Sequence, residues 1–311
     1  MRVTVGLFLL LGSSVAFSPV GAVEAADGAS QSGALQSRTT PWNSAELPGR
    51  MGSSDARHEV ISEEPARRMQ AITAGPLPVA ERVAALHEDD SPISQDDYRA
   101  LTAMVKRGEV PGGLSANHYH YLANEIWNAL RAEEGFSQPL AEHLATVANT
   151  SSDPVICDYA LQHLAQLEAP GVRPIQNDAL IAFAENTTSP LAGTALVGLY
   201  RLNERSPDPE TLAALRRVTY TLAVDPEADT SSRVSAFSLA TDLEVSGLLS
   251  TARQIVPDSA ADPRLRLAAI RYLGVYGETS DATLIEESRH TFRNPFLFEA
   301  AREAKNQIGP S

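Results

Sequence analysis

The second half of the chain repeats a helix-opening pattern at intervals of 32 to 40 residues. The openers suit the first turn of a helix, where the missing amide proton of proline costs no hydrogen bond. They are Pro154, Pro190, Thr230, Pro263 and Pro295. An alanine follows four of these five openers at the sixth position. A small side chain there lets a neighbouring helix approach closely, so the recurrence predicts helices that pack side by side.

A second apolar helix follows these openers after a turn. The expected second helices include residues 210–222, 248–256 and 282–292. Leu212, Leu248 and Leu284 lie at a constant interval of 36 residues within them. A period of about 30 to 45 residues built from helix pairs is typical of an α-solenoid. We therefore predict an all-α fold, in which residues 151–311 form a right-handed α-solenoid of paired antiparallel helices.

The clearest unit, residues 262–277, reads DPRLRLAAIRYLGVYG and is followed by DATLI at 281–285. Its arginines followed by Ala-Ala-x-x-x-Leu-Gly-x-x-Gly resemble HEAT repeats, in particular the short HEAT-like repeats also found in bilin lyases. Weaker copies are Asp153-Pro154 with Ala160-Leu161, and Asn294-Pro295 with Ala300-Ala301. The resemblance covers residues 153–308. It implies a scaffold architecture rather than one activity, and through the bilin lyases it raises the alternative of a solenoid that cradles a small ligand.

The chain before the repeats divides into two parts. Residues 77–150 are predicted to form an N-terminal helical region, either degenerate repeats or a cap. Ser94 is placed to cap one helix that ends at Gly108, and Ser115 to cap the next. Residues 26–76 are rich in glycine and serine without an apolar period. We predict that they form a disordered linker, because such a composition buries too little surface to offset chain ordering.

The first 25 residues have the pattern of a secretory signal peptide. Arg2 precedes a 15-residue apolar stretch, which is shorter than the about 20 residues that span a bilayer. We expect cleavage and export to the periplasm or the extracellular space, with retention as an uncleaved anchor as the alternative. The net charge of −14 argues against nucleic acid and anionic membranes as partners. We expect no stable membrane insertion after signal cleavage.

Motifs for chemistry are missing from the sequence: it has no phosphate-binding loop, His-Glu-x-x-His, nucleophile elbow or Cys-x-x-Cys. We predict no catalytic residue, cofactor or metal. His118 and His120 face opposite sides of one helix, so a metal site there would need a further ligand such as His143 or His163. The alternative is that one ring lines a helix interface and the other is in solvent. Cys157, the single cysteine, is expected to be buried, with an intermolecular disulfide or a reactive thiol as the alternative.

Three arginines recur at one position of successive second helices. Arg217, Arg253 and Arg289 lie 36 residues apart, so stacked helices would place them in a ladder with steps of about 10 Å. In an acidic chain, such a ladder is a candidate groove for an acidic partner segment. The alternative is structural, since a basic residue late in a helix stabilises its negative end. An acid of the preceding turn could also bond to the arginine, Asp208 to Arg217 and Asp281 to Arg289, whereas the turn before Arg253 offers only Glu244.

These observations predict an exported, non-enzymatic scaffold that presents a helical-repeat surface to a protein or peptide partner. Two alternatives remain open at this point. One is a small-ligand-binding or lyase-like enzyme that uses the solenoid as a cradle. The other is a structural spacer at the cell surface.

Overall fold

A computed structural model describes residues 67–73, 75–87 and 92–309. Helix is the only regular secondary structure in these residues, as the all-α prediction requires. The α-helices are α1 Arg67–Thr73, α2 Val79–His87, α3 Gln95–Arg107, α4 Ala116–Arg131, α5 Ser137–Thr150, α6 Pro154–Gln166, α7 Arg173–Glu185, α8 Ala192–Arg205, α9 Pro209–Val224, α10 Thr230–Ala240, α11 Leu249–Ile255, α12 Pro263–Tyr276, α13 Thr279–Ser288 and α14 Pro295–Ile308. Two 3-10 helices cover Glu134–Phe136 and Arg289–Thr291. The predicted signal peptide and most of the predicted linker lie outside the described residues.

The predicted helix boundaries of the N-terminal region are confirmed by their capping geometry. The Ser94 side chain accepts a hydrogen bond from the amide of Asp97 at 3.0 Å, and the Ser115 side chain accepts one from the amide of His118 at 3.3 Å. Gly108 ends α3 in the left-handed region, with φ of 65°, a conformation that glycine adopts without steric cost.

Four of the five predicted openers are the first residue of a helix. Pro154, Thr230, Pro263 and Pro295 begin α6, α10, α12 and α14. An Asp or Asn before each of them accepts a first-turn amide hydrogen bond. The fifth prediction is wrong by two residues, because Pro190 belongs to a turn and α8 begins at Ala192.

The opening helices pack against each other in chain order. Helix α6 contacts α8, α8 contacts α10, α10 contacts α12, and α12 contacts α14. Helices α5, α7 and α9 form a second such series. Sequential pairs such as α7–α8, α9–α10 and α11–α12 join the two series. This packing order is compatible with a helical repeat fold.

Small residues permit the close approach of the opening helices. The alanines six residues after the openers are buried in the core, as are both members of the pairs Ala268-Ala269 and Ala300-Ala301. Gly274 on α12 lies close to α14, since a Cβ atom on it would lie 2.9 Å from the Cα atom of Ala304. Small residues therefore line the contact between α12 and α14.

The N-terminal end of the described chain is held by a buried arginine. Arg82 on α2 is fully buried, and its Nη2 donates to the carbonyls of Gly75 at 2.7 Å and Gly112 at 2.8 Å. Its Nε donates to Leu77 at 2.9 Å, and its Nη1 to the carbonyl of Ile72 in α1. Helix α1 falls within the range 26–76 that was predicted to be a linker. Residues 67–73 of that range are therefore helical, and the basic side chain of Arg82 satisfies the Ile72 carbonyl near the end of α1.

Buried polar side chains connect helix ends in the second half of the chain as well. Arg266 on α12 donates from Nε and Nη2 to the carbonyl of Val256 at 3.0 and 2.7 Å, and its guanidinium lies 4.9 Å from the ring centre of Phe292. Gln176 on α7 donates to the carbonyls of Leu164 and Leu167, which end α6. None of the described helices is long and apolar enough to span a membrane.

Candidate functional site

Two of the three predicted binding arginines form exposed ion pairs. Arg217 on α9 donates from Nη2 to Oε1 of Glu185 at the end of α7, at 2.5 Å. A cavity of about 200 Å³ adjoins this pair. Arg289, which follows α13, donates to Oε1 of Glu286 at 2.8 Å, and its guanidinium lies 5.7 Å from the ring centre of Phe298. Each positive charge therefore already has a carboxylate partner within the chain.

The third arginine, Arg253 on α11, contacts a buried carboxylate. Its Nε and Nη2 donate to the two carboxylate oxygens of Asp281 at 2.7 and 2.9 Å. The pairing predicted from local spacing is wrong here, because Asp281 bonds to Arg253 rather than to Arg289. Asp208 likewise does not pair with Arg217; it caps α9 by accepting from the amide of Thr211 at 2.7 Å. Glu185 and Asp281 come from distant parts of the sequence, because neighbouring helices bring them close, whereas Glu286 lies three residues before Arg289 on α13.

A different group of side chains lies where the C-terminal ends of α8, α10 and α12 meet. We call it the acidic tyrosine surface, and it consists of Tyr200, Glu204, Asp242 and Tyr276. Tyr200 and Glu204 are one turn apart on α8 and share a face. Asp242 follows α10, and the Tyr276 hydroxyl near the end of α12 donates to the carbonyl of Thr241 at 3.4 Å.

The electrostatics of the acidic tyrosine surface are those of uncompensated negative charge. Partial burial raises the pKa of Asp242 and the neighbouring negative charge of Glu204 raises it further, whereas a hydrogen bond with the Tyr200 side chain lowers it. Burial also raises the pKa of Tyr200, with further contributions from the charges of Asp242 and Glu204. Burial and the charges of Glu244 and Asp242 raise the pKa of Tyr276. All these shifts have the sign expected where carboxylates crowd together without a cation.

Acids nearby do have basic partners. Glu168 accepts from Nη1 of Arg205 at 2.6 Å, and Glu244 lies 3.7 Å from Nη2 of Arg216. Within the part of the chain that the structure describes, no ion pair joins Glu204 or Asp242 to a basic side chain. The acidic tyrosine surface is therefore open to a positive group from outside.

A larger cleft of about 380 Å³ lies between the end of α3, the start of α4 and the turn before α6. Its lining includes Lys106, Val110, His120 and Asp153. Nε2 of His120 lies 2.6 Å from Oδ2 of Asp153, whose other carboxylate oxygen caps α6. Hydrogen bonding from His120 and from the helix amides lowers the pKa of Asp153 in spite of its partial burial. His120 therefore holds the Asp153 carboxylate in position to cap α6.

The remaining residues of the predicted histidine cluster lie elsewhere. His118 is exposed, whereas His143 and His163 lie against Trp127. No group of three or more histidine, cysteine or acidic side chains in the described ranges is arranged to hold a metal ion. Cys157 is buried and free, and burial raises the pKa of its thiol.

The sequence predicts only part of the acidic tyrosine surface. Tyr200 and Glu204 are four residues apart and so lie on one face of a helix, but this spacing alone does not distinguish them from the other acidic residues of the chain. The approach of Asp242 depends on how α8 and α10 pack, which local spacing does not reveal. Comparisons with protein-family models, curated proteins and solved structures give no match to this chain.

Proposed function

We propose that this chain is an exported, non-enzymatic protein-binding scaffold, built as a right-handed α-solenoid of paired antiparallel, HEAT-like helices. The chain-order packing of α6, α8, α10, α12 and α14 supports a repeat array, because units of this kind bury their apolar faces on the next unit.

The acidic tyrosine surface is the proposed binding site, and a basic segment of a partner protein is its proposed ligand. The observation that carries this proposal is the Glu204–Asp242 carboxylate pair, which has no basic partner in the described chain. A guanidinium or ammonium group would gain charge-assisted hydrogen bonds from the two carboxylates. The rings of Tyr200 and Tyr276 would add cation–π contacts.

In this proposal the three arginines of the predicted ladder bond to acidic side chains of the chain itself and do not bind the partner. A groove for acidic segments requires free guanidiniums, but Arg217, Arg253 and Arg289 each bond to a carboxylate of the chain itself. A partner acid would first have to displace these bonds. A positive group at the Glu204–Asp242 pair would displace no cation of the chain, and it would share the carboxylates with the hydroxyl of Tyr200.

The test compares wild type with Glu204→Gln/Asp242→Asn. The matched control is Glu287→Gln/Glu303→Gln, which removes the same charge from exposed acids that form no ion pair within the described residues. We expect a fluorescent lysine–serine repeat peptide to bind the wild type and the control, and to bind the first variant at least about tenfold more weakly. A glutamate–serine repeat peptide should bind none of them. Equal affinity of the lysine–serine peptide for both variants, or no binding to wild type, refutes the proposed site.

The small-ligand alternative has one candidate location, the cleft at His120 and Asp153. Its volume of about 380 Å³ is within the range of ligand pockets, and its lining includes polar side chains. A screen of small acids and sugars by thermal shift, repeated with Val110→Trp to fill the cleft, tests this alternative. A ligand that stabilises wild type but not Val110→Trp would favour it over the protein-binding scaffold. Absence of both peptide and small-ligand binding would favour the spacer.

A further inference from the structure

A buried aromatic cluster, which the proposed binding function does not use, joins three helices. Trp127 on α4 is fully buried. Its ring centre lies 5.6 Å from that of His163 on α6 and 6.3 Å from that of His143 on α5. We call these three residues the Trp–His cluster. It fixes α4, α5 and α6 against each other at the boundary between the N-terminal region and the repeats.

One nitrogen on each ring of the Trp–His cluster is buried and has no hydrogen-bond partner in the protein. These atoms are Nε1 of Trp127, Nε2 of His143 and Nδ1 of His163. The other ring nitrogen of His163, Nε2, lies 3.0 Å from Oδ1 of Asn124. Since the Asn124 oxygen accepts only, Nε2 carries the proton and Nδ1 carries a lone pair. A proton added to Nδ1 would create a buried cation without an acceptor.

The charged groups around the cluster oppose protonation. Lys106 on α3 acts on His143, and Arg131 on α4 acts on His163; both are positive. Glu125, also on α4, accepts from Nδ2 of Asn124, and no carboxylate contributes to the shift of either histidine. Burial, assisted by these positive charges, lowers the pKa of His143 to about 4 and that of His163 to about 3.

We propose that the Trp–His cluster is an acid-sensitive latch, in which protonation of His143 and His163 releases the packing of α4, α5 and α6. In the unfolded chain both rings accept a proton near pH 6.5. In the folded chain they remain neutral to a much lower pH. Their contribution to stability is therefore complete above about pH 6.5 and is lost as the pH falls from there toward the folded pKa values.

The size of the effect follows from the two titrations. Between about pH 7 and about pH 5, each histidine lowers the folding equilibrium constant about 20-fold, because nearly all of its unfolded form and little of its folded form is protonated. Together they lower it about 500-fold, which corresponds to about 4 kcal/mol at 1.36 kcal/mol per tenfold change. Carboxylates lose their native interactions mainly below this window, so the two sources of acid sensitivity are separable.

The experiment measures urea unfolding of the full chain at about pH 7 and about pH 5. The background is Trp42→Phe, which leaves Trp127 as the single tryptophan of the chain. We expect the equilibrium constant to fall about 500-fold between the two pH values in this background. His143→Gln and His163→Gln should each make this decrease in the folding equilibrium constant about 20-fold smaller, and the double variant should lack the contributions of both histidines. His118→Gln, which replaces an exposed histidine, should keep the full difference.

Histidine titration by NMR gives an independent readout that does not depend on how stable the variants are. The folded wild type should show two histidines that remain neutral at about pH 5, and their signals should be absent from the spectra of the corresponding variants. Folded-state titration of both rings near pH 6.5 would overturn the proposal. A double variant that keeps the full pH dependence would overturn it as well.

Discussion

Asp281 is predicted to be the acidic side chain whose loss most weakens the packing of the last helices. It is 1% exposed, and it accepts two hydrogen bonds from Arg253 at 2.7 and 2.9 Å. It also accepts a third from the amide of Glu278 at 2.8 Å, where it forms part of the capping box that begins α13. Asp281→Ala removes all three bonds in one substitution.

The expected cost of Asp281→Ala combines a helix cap and an ion pair. The lost cap costs about 1 kcal/mol. Complete rupture of a fully buried pair costs about 3 to 5 kcal/mol, but the Arg253 side chain is 38% exposed and regains water when its partner is removed. We therefore expect a total loss of about 2 to 3 kcal/mol, which corresponds to about 4 to 12 °C in the melting temperature of a chain of this size.

Thermal unfolding followed by circular dichroism at about pH 7 measures this loss. Glu286→Ala is the control, since Glu286 forms exposed pairs with Arg289 and Lys305, and solvent screening makes such pairs contribute little to stability. Hydrogen bonding to Arg253 lowers the pKa of Asp281 in spite of its burial, so its contribution is present above about pH 4 and is lost below it. If Asp281→Ala and Glu286→Ala melt at the same temperature, the reasoning from burial and bidentate geometry is refuted.

Two further substitutions test the packing of the helices. Arg82→Met should cost about 2 kcal/mol in urea unfolding, because it leaves the buried carbonyl of Ile72 and the part-buried carbonyls of Gly75, Leu77 and Gly112 without this donor; a change below about 0.5 kcal/mol would show that water replaces the guanidinium. Gly274→Val should cost about 1 to 3 kcal/mol by forcing α14 away at Ala304, whereas Gly112→Ala, which meets no atom within 4 Å, should be nearly neutral. Equal effects of the two glycine substitutions in thermal unfolding would contradict the close-approach argument.

Local interactions made much of the helical architecture readable from the sequence. The caps at Ser94 and Ser115 and the stop at Gly108 each depend on residues within one turn. The openers Pro263 and Pro295 are recognisable for the same reason. The helix start predicted at Pro190 was wrong by two residues, because a proline is also compatible with the turn that precedes a helix.

The sequence by itself thus determined the helical class, most helix starts and the small residues at helix interfaces, because these depend on neighbours within a few positions. Tertiary structure alone decided that Asp281 bonds to Arg253, that Arg82 fixes α1, and that Glu204 meets Asp242. The physical reason is that such contacts depend on the relative rotation and register of packed helices. Those quantities are set by many side chains along each interface, and no short motif encodes them.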